Sequence, residues 1–344
     1  MKGPDSLERL FYCRAGFEPE LAQEVQHVAA DAGFSAVAKT DRDTAIVRLA
    51  TDAPLDFSVR RLIFARQSLT LVAALPKLDP KDRLTPLLDA LGDRGPWCDV
   101  WVETPDTGGA DALAPLVRSF ETVLVAALKK RQLLDKNGNT RLHVCVRSGT
   151  DFLIAEADTR TASPWRGGIP RLKFPREAPS RSTLKLEEAF LVLLDERERE
   201  AWLKPGMTAV DLGASPGGWT YQLVRRSMRV VAVDNGPMDE RLMQSGLVDH
   251  RRADGFRFRP AKPVDWVVCD MVEQPIRVAA LMRDWLAEGA ARRALFNLKL
   301  PMKKRWLEVQ RSLVTLSQAF DETLNIRAKQ LYHDREEITL LATR

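Results

Sequence analysis

Residues 210–220 read Val-Asp-Leu-Gly-Ala-Ser-Pro-Gly-Gly-Trp-Thr, and they restrict the fold more than any other stretch of the chain. The apolar run Thr208-Ala209-Val210 leads into Asp211-Leu212-Gly213. A tight Ser215-Pro216-Gly217-Gly218 corner follows, and Trp219 to Arg226 reads as a helix. Strand, glycine-rich turn and helix start therefore come in that order. Glycines without Cβ let backbone come close to a ligand, and unpaired helix N–H groups can hold an anion. The plainer alternative is a bend that needs glycine only for its geometry.

The turn is not G-x-G-x-x-G, so the dinucleotide-pyrophosphate fingerprint is absent. A roomier glycine turn suits an adenosine cofactor with an amino-acid tail, and S-adenosyl-L-methionine is the expected ligand. From Ser182 onward helix and strand alternate. The pattern predicts helices over 184–200, 219–226, 276–287 and 306–320, and strands over 208–212, 229–233, 265–269 and 294–298. A terminal hairpin over 324–331 and 338–342 completes it. This βα alternation predicts an α/β fold with a largely parallel, doubly wound sheet, whose ligands sit at the carboxyl ends of the strands.

The first half reads differently. A helix over about residues 19–32 precedes short strands at 36–39 and 44–49, and 62–75 reads as a strand pair or one long strand. A helix over about 110–134, the turn signal Asn137-Gly138-Asn139 and strands at 142–147 and 152–156 follow. Mixed α+β modules fit this better than a second parallel sheet. Residues 163–182 hold four prolines and two glycines, the composition of a linker.

Composition narrows the partners. With 45% hydrophobic and 29% charged residues, the 344-residue chain is an ordinary globular one with room for two or three domains. No segment reaches the roughly 18 uncharged apolar residues of a membrane span. Met1 to Glu8 lack the apolar core of a secretory leader, so a cytoplasmic protein is expected. Cys13, Cys98, Cys145 and Cys269 are scattered, as are the four histidines, which argues against a metal site or disulfide framework. The net charge of +5 is mild, but its distribution is uneven. Arg160, Arg166, Arg171, Lys173, Arg176 and Arg181 form one cluster. Arg292, Arg293, Lys299, Lys303, Lys304 and Arg305 form a second, and Arg251, Arg252, Arg257, Arg259 and Lys262 a third. Any one of these could be a solvated face; three around one cofactor turn point to a polyanionic substrate.

Asp234 ends the second strand about 20 residues beyond Gly213, where nucleoside-binding sheets place a carboxylate for ribose hydroxyls. Asp254 stands after the next turn, within reach of an adenine amino group. Asp270 and Lys299 end apolar strands, where an ionisable group is costly to bury without a partner. They could also simply cap strands or pair with each other.

Several ordered segments carry a resemblance: GIPRLKFP running into APSRSTLKLEEAF (Gly168 to Phe190), DLGASPGGWTYQLV, VVAVDNG, ADGF, VVCDMVEQP, FNLKLPMK and LYHDREEITL, with FYCRAGFE at the start. The chain resembles the RlmM-type ribosomal RNA 2′-O-ribose methyltransferases almost end to end. Ser215 departs from the cysteine expected there, and a small residue still suits the turn. The resemblance implies a ferredoxin-like subdomain over 1–72, a THUMP-like RNA-binding module over 73–162, the basic linker over 163–181 and a Rossmann-like methyltransferase domain over 182–344. It also implies a Lys-Asp-Lys-Glu tetrad at Lys185, Asp270, Lys299 and Glu337, with Glu336 open for the last place. The substrate would be a cytidine in the peptidyl-transferase region of large-subunit (23S) ribosomal RNA, free or in a pre-ribosomal particle, and the enzyme a monomer.

Methyl transfer from a sulfonium to a ribose hydroxyl is an in-line displacement that needs positioning and a proton acceptor. An isolated lysine, with a pKa of about 10.4, is mostly charged at neutral pH; a second lysine lowers that value and carboxylates raise it. Lys299 is the expected base, with Lys185 and Glu337 as partners and Asp270 orienting near the donor. Ser182, Gly213, Ser215, Pro216, Gly217, Gly218, Asp234, Asp254 and Asp270 are the expected cofactor contacts. Two other readings compete. A non-catalytic RNA-binding or ribosome-assembly factor could retain the fold, although it would have no use for paired lysines. A Rossmann oxidoreductase is disfavoured by the missing fingerprint.

Overall fold

The computed structural model describes residues 7–51, 57–320 and 324–344; residues 1–6, on which the leader reading largely rests, lie outside them. The chain divides into two compact units, Met1–Pro170 and Arg171–Arg344.

The first unit runs β1 (Leu7–Tyr12), α1 (Glu18–Asp31), β2 (Ala36–Thr40), β3 (Ile46–Thr51), β4 (Gln67–Leu75), α2 (Leu84–Leu91), β5 (Asp99–Glu103), α3 (Ala110–Lys130), β6 (Thr140–Ser148) and β7 (Asp151–Asp158). Its strands form one seven-stranded sheet in the order β2-β3-β1-β4-β7-β6-β5. Every pair is antiparallel except β5 with β6. α2 and α3 cover one part of it over a core that includes Trp97, Leu124, Leu142 and Phe152. The long strand expected from residue 62 begins only at Gln67. Before it, the buried Glu24 carboxylate accepts the Ile63 and Phe64 N–H groups, so that backbone is satisfied without a ladder. α2 and β5 escaped the sequence reading because each is short.

The second unit runs α4 (Thr183–Leu193), α5 (Glu196–Trp202), β8 (Thr208–Leu212), α6 (Gly218–Val224), β9 (Arg229–Val233), α7 (Glu240–Gln244), β10 (Val248–Arg251), β11 (Val264–Cys269), α8 (Pro275–Ala287), β12 (Ala291–Lys299), α9 (Arg305–Ser317), β13 (Asn325–Lys329) and β14 (Glu337–Thr343). The single helix expected over 184–200 is two. Leu194 is extended, and Asp195 opens α5 with a reciprocal capping box to Glu198. Strand β10 was missed because Val-Asp-His-Arg carries no apolar alternation.

Sheet order is β10-β9-β8-β11-β12-β14-β13, parallel as far as β12 and antiparallel beyond. Successive strands step outward from β8 to β10, then cross back to β11. The order therefore reverses between β8 and β11, which opens a crevice at their carboxyl ends. Phe190, Trp219, Trp266 and Leu295 belong to the core beneath it.

Candidate active site

The glycine turn lies at the reversal point. Gly217 has φ +117°, and a Cβ there would run into the Leu242 side chain. Gly218 is pressed so close to Ser182 Oγ that no Cβ fits between them. Gly213 lies beneath Met271 at the end of β8. Pro216 follows Ser215 through a cis peptide bond, and the Ser215 hydroxyl donates to the Pro237 carbonyl at 2.8 Å. Asp234 braces the loop. Its two oxygens accept the Ser215 N–H at 3.0 Å and the Gly236 N–H at 2.7 Å. Each oxygen keeps a second lone pair for a ligand. Ser182 pairs with Ser180 at 2.6 Å, Oγ to Oγ. Asp254 is exposed in the loop after β10, where it accepts the Phe256 N–H, and its neighbour Gly255 lies against Met271. With only seven residues, α6 offers few aligned peptide dipoles, so the close backbone of the turn shapes this cradle more than a helix terminus does.

The four tetrad positions converge beside it. Parallel β11 and β12 deliver Asp270 and Lys299 to the same edge, and β14, running the other way, begins there with Glu337 directly opposite Lys299. Lys185 comes from the first turn of α4. Its ammonium lies 3.3 Å from Asp270 and 2.5 Å from Glu337. Lys299 pairs with Glu337 as well, and reaches Asp270 at 3.4 Å. Side-chain exposures of 13% for Lys185, 15% for Asp270 and 6% for Glu337 against 28% for Lys299 leave Lys299 the most open of the four. Glu336, in the bend just before β14, is exposed and pairs instead with Arg305.

Burial works against the charge on Lys185, but Asp270 and Glu337 outweigh it and hold the ammonium above its ordinary pKa. Burial likewise opposes the Glu337 carboxylate, and Lys185 with Lys299 nevertheless hold it low. The crossed contacts thus hold Lys185 charged and Glu337 ionised.

Sequence reasoning missed the supporting residues. Asp211 is buried and bonded to the Thr220 hydroxyl at 2.6 Å; burial pushes its carboxyl up to about 7. Glu188, one turn beyond Lys185, accepts the Tyr332 and His333 N–H groups and so holds the approach to β14. Asn297 and Thr339 lie wholly buried, each two residues from a tetrad member. A polar residue inside an apolar strand was the available signal for the last two.

The basic clusters are partly neutralised. Arg160, Arg166, Arg251, Arg259 and Arg305 pair with carboxylates, and Arg293 stacks on Trp202. Lys173, Arg176, Arg181, Arg252, Lys262, Lys303 and Lys304 remain exposed. Among the described residues, no group of histidine, cysteine or acidic side chains could hold a metal ion, and no helix is long and apolar enough to cross a membrane.

A sheet whose order reverses over a glycine cradle, with a carboxylate at the end of the neighbouring strand, defines a Rossmann-like methyltransferase domain. The FtsJ-like methyltransferase family matches residues 178–331, the RlmM ferredoxin-like domain residues 7–69, and the N-terminal domain of ribosomal RNA large subunit methyltransferase M residues 82–157. Ribosomal RNA large subunit methyltransferase M of Xanthomonas axonopodis pv. citri (strain 306) is 52% identical over 342 residues, covering 97% of this chain and 99% of the relative. The protein of the same name from Xanthomonas oryzae pv. oryzae (strain PXO99A) matches to the same extent. Among solved structures, TrmN from Thermus thermophilus is 18% identical over 98% of this chain and all of its own, with a TM-score of 0.39, too loose a likeness to add to the fold described above. The chain belongs to the ribosomal RNA large subunit methyltransferase M family. Its methyl donor is S-adenosyl-L-methionine, and Asp234, whose oxygens brace the glycine turn and keep lone pairs for hydroxyl donors, fits its ribose.

Proposed function

We propose that the protein methylates the ribose 2′-hydroxyl of a cytidine in 23S ribosomal RNA, with Lys299 as general base. The observation that carries this reading is the crossed ring of Lys185, Asp270, Lys299 and Glu337 beside the glycine cradle. S-adenosyl-L-methionine, when bound, supplies the electrophilic methyl group. Ser182, Gly213, Ser215, Pro216, Gly217 and Gly218 would hold its methionine part, Asp234 its ribose, Asp254 its adenine and Asp270 the region of the reacting centre. Lys185, kept charged by two carboxylates, orients Glu337 and Asp270. Lys299, the most open of the four, accepts the hydroxyl proton on the Nζ of its neutral amine form as the oxygen attacks, becoming the ammonium that Glu337 and Asp270 pair. Covalent attack on a pyrimidine ring would require a reactive thiol. Cys269, the cysteine next to the tetrad, is wholly buried and pushed up to about 12 by that burial.

The first unit is assigned to RNA docking, as a ferredoxin-like part over 1–72 and a THUMP-like part over 73–162, and the exposed lysines and arginines of the linker 163–181 are assigned to phosphate contacts. The protein is expected to act as a monomer in the cytoplasm. Lys299→Ala should abolish methyl transfer to ribosomal RNA while calorimetric binding of S-adenosylhomocysteine survives. Wild-type turnover in that variant would remove Lys299 from the mechanism.

A further inference from the structure

Behind the tetrad, Asn297 of β12 faces Thr339 of β14, two rungs in from the Lys299–Glu337 pair. Residues two apart on a strand share a face, so both rungs look toward Asp270. Asn297 Nδ2 donates to Asp270 Oδ1 at 2.8 Å. Asn297 Oδ1 accepts from the Thr339 hydroxyl at 2.7 Å. Thr339 Oγ1 in turn lies 3.0 Å from Asp334 Oδ2, which also accepts the Leu331 N–H at 3.0 Å. Asn297, Thr339 and Asp334 are all 0% exposed.

Proton bookkeeping gives this chain a direction. Ionised Asp270 only accepts, so the Asn297 amide must present its NH₂ there and its carbonyl to Thr339. Thr339 has one proton, and Asn297 takes it. The remaining contact needs a donor on Asp334, which a protonated carboxyl supplies. Burial, followed by the charge of Glu337, pushes the Asp334 carboxyl well above its usual range. Its Oδ1 has no hydrogen-bond partner, a tolerable state for a neutral carboxyl and a costly one for an anion.

Distances show what holds Asp270. Its contacts to the two lysines are long, at 3.3 to 3.5 Å, whereas the Asn297 bond is 2.8 Å. Only the amide contact has normal hydrogen-bond length, so the amide fixes the direction of the carboxylate while the lysines attract it less directionally. We propose that Asn297, Thr339 and Asp334 form a one-directional hydrogen-bond relay that positions Asp270, and through it the lysine pair, for methyl transfer. This rests on the reading of the tetrad as the catalytic centre, and the three residues are positioning residues that touch neither substrate nor cofactor.

Steady-state kinetics on ribosomal RNA, with S-adenosylhomocysteine affinity and melting temperature measured alongside, test it. Asn297→Leu should lower kcat by about tenfold to a hundredfold, the rate equivalent of losing one hydrogen bond to a charged group. Thr339→Val, nearly isosteric and suited to a strand, should lower kcat by a smaller factor, and Thr339→Ser should restore it. KM for ribosomal RNA should stay at the wild-type value, and S-adenosylhomocysteine affinity, which Asp270 also touches, should fall by much less than kcat. Wild-type kcat in Asn297→Leu and Thr339→Val, or a Thr339→Ser enzyme as slow as Thr339→Val, would overturn the relay. Cofactor affinity falling in step with kcat would also overturn it, since that marks a merely structural role. If Lys299→Ala is inactive while the relay variants are unimpaired, the relay alone falls; if Lys299→Ala is fully active, the tetrad reading itself falls.

Discussion

In the first unit Glu103, His143 and Arg141 lie together at 5%, 0% and 5% exposure. Arg141 Nε donates to His143 Nε2, so the histidine proton sits on Nδ1 and goes to Glu103 Oε1 at 2.7 Å. Glu103 Oε2 accepts the Gly167 N–H, and Arg141 also donates to the Ser163 carbonyl and covers the Trp101 ring. In the second unit the tetrad also crosses opposite charges, yet its lysine–aspartate contacts are long and Lys299 is open to solvent. Both clusters are ionic and largely buried. The first fills its hydrogen-bonding positions with its own backbone and side chains and holds the segment 163–167 in place; the second leaves Lys299, at 28% exposure, more open than its partners. Buried charge alone therefore does not mark an active site. Unfilled positions next to a cradle do.

Substitutions should separate the two kinds of cluster. Lys185→Met in the tetrad should cut kcat by about a hundredfold or more, because Lys185 orients Glu337 and Asp270 around the base. Its loss of stability should be smaller, because Lys299 still pairs both carboxylates. Glu103→Ala should do the reverse: it strands a buried arginine and histidine, at a cost of about 3–5 kcal/mol, while the folded fraction keeps its kcat. Equal effects of both on kcat would erase the distinction. Gly218→Ala should weaken S-adenosylhomocysteine binding by about tenfold or more, because its Cβ must displace the Ser182 hydroxyl; unchanged calorimetric affinity would move the cofactor elsewhere.

Smaller effects follow from pH and salt. The Asp211 carboxyl sits at about 7 in the fold, against about 3.9 when unfolded. Its neutral form is therefore favoured in the fold. That contribution is complete below about pH 4 and is lost as pH rises through about 7. Denaturation free energies across this range should fall less steeply for Asp211→Asn than for the wild type; parallel curves would refute the shift. Replacing Lys173, Arg176 and Arg181 by alanine should weaken RNA binding mildly and flatten its salt dependence, and an unchanged slope would make that stretch a solvated face.

Much of this was legible in the sequence. Periodicity gave most of the second unit's strands, and the glycine run marked the carboxyl end of β8. Resemblance supplied Lys185 and Glu337, which are distant in the chain and carry no local signature. The pairing of Glu337 with Lys299 depends on a strand register that no linear pattern reveals, and so does the choice over Glu336. Asn297 and Thr339 were overlooked because their role is to hold Asp270 across three strands. The helix break at Leu194 was visible in Asp195 and Glu198, a capping box that apolar periodicity overrode.

The central claim is that this ring acts on a ribose hydroxyl. Ribosomal RNA methylated by the purified protein should be digested to nucleosides and resolved by mass spectrometry, with the Lys299→Ala protein run in parallel. The wild type should yield 2′-O-methylcytidine from 23S RNA and the variant none. A methyl group on the base, or the same ribose product from Lys299→Ala, would contradict it.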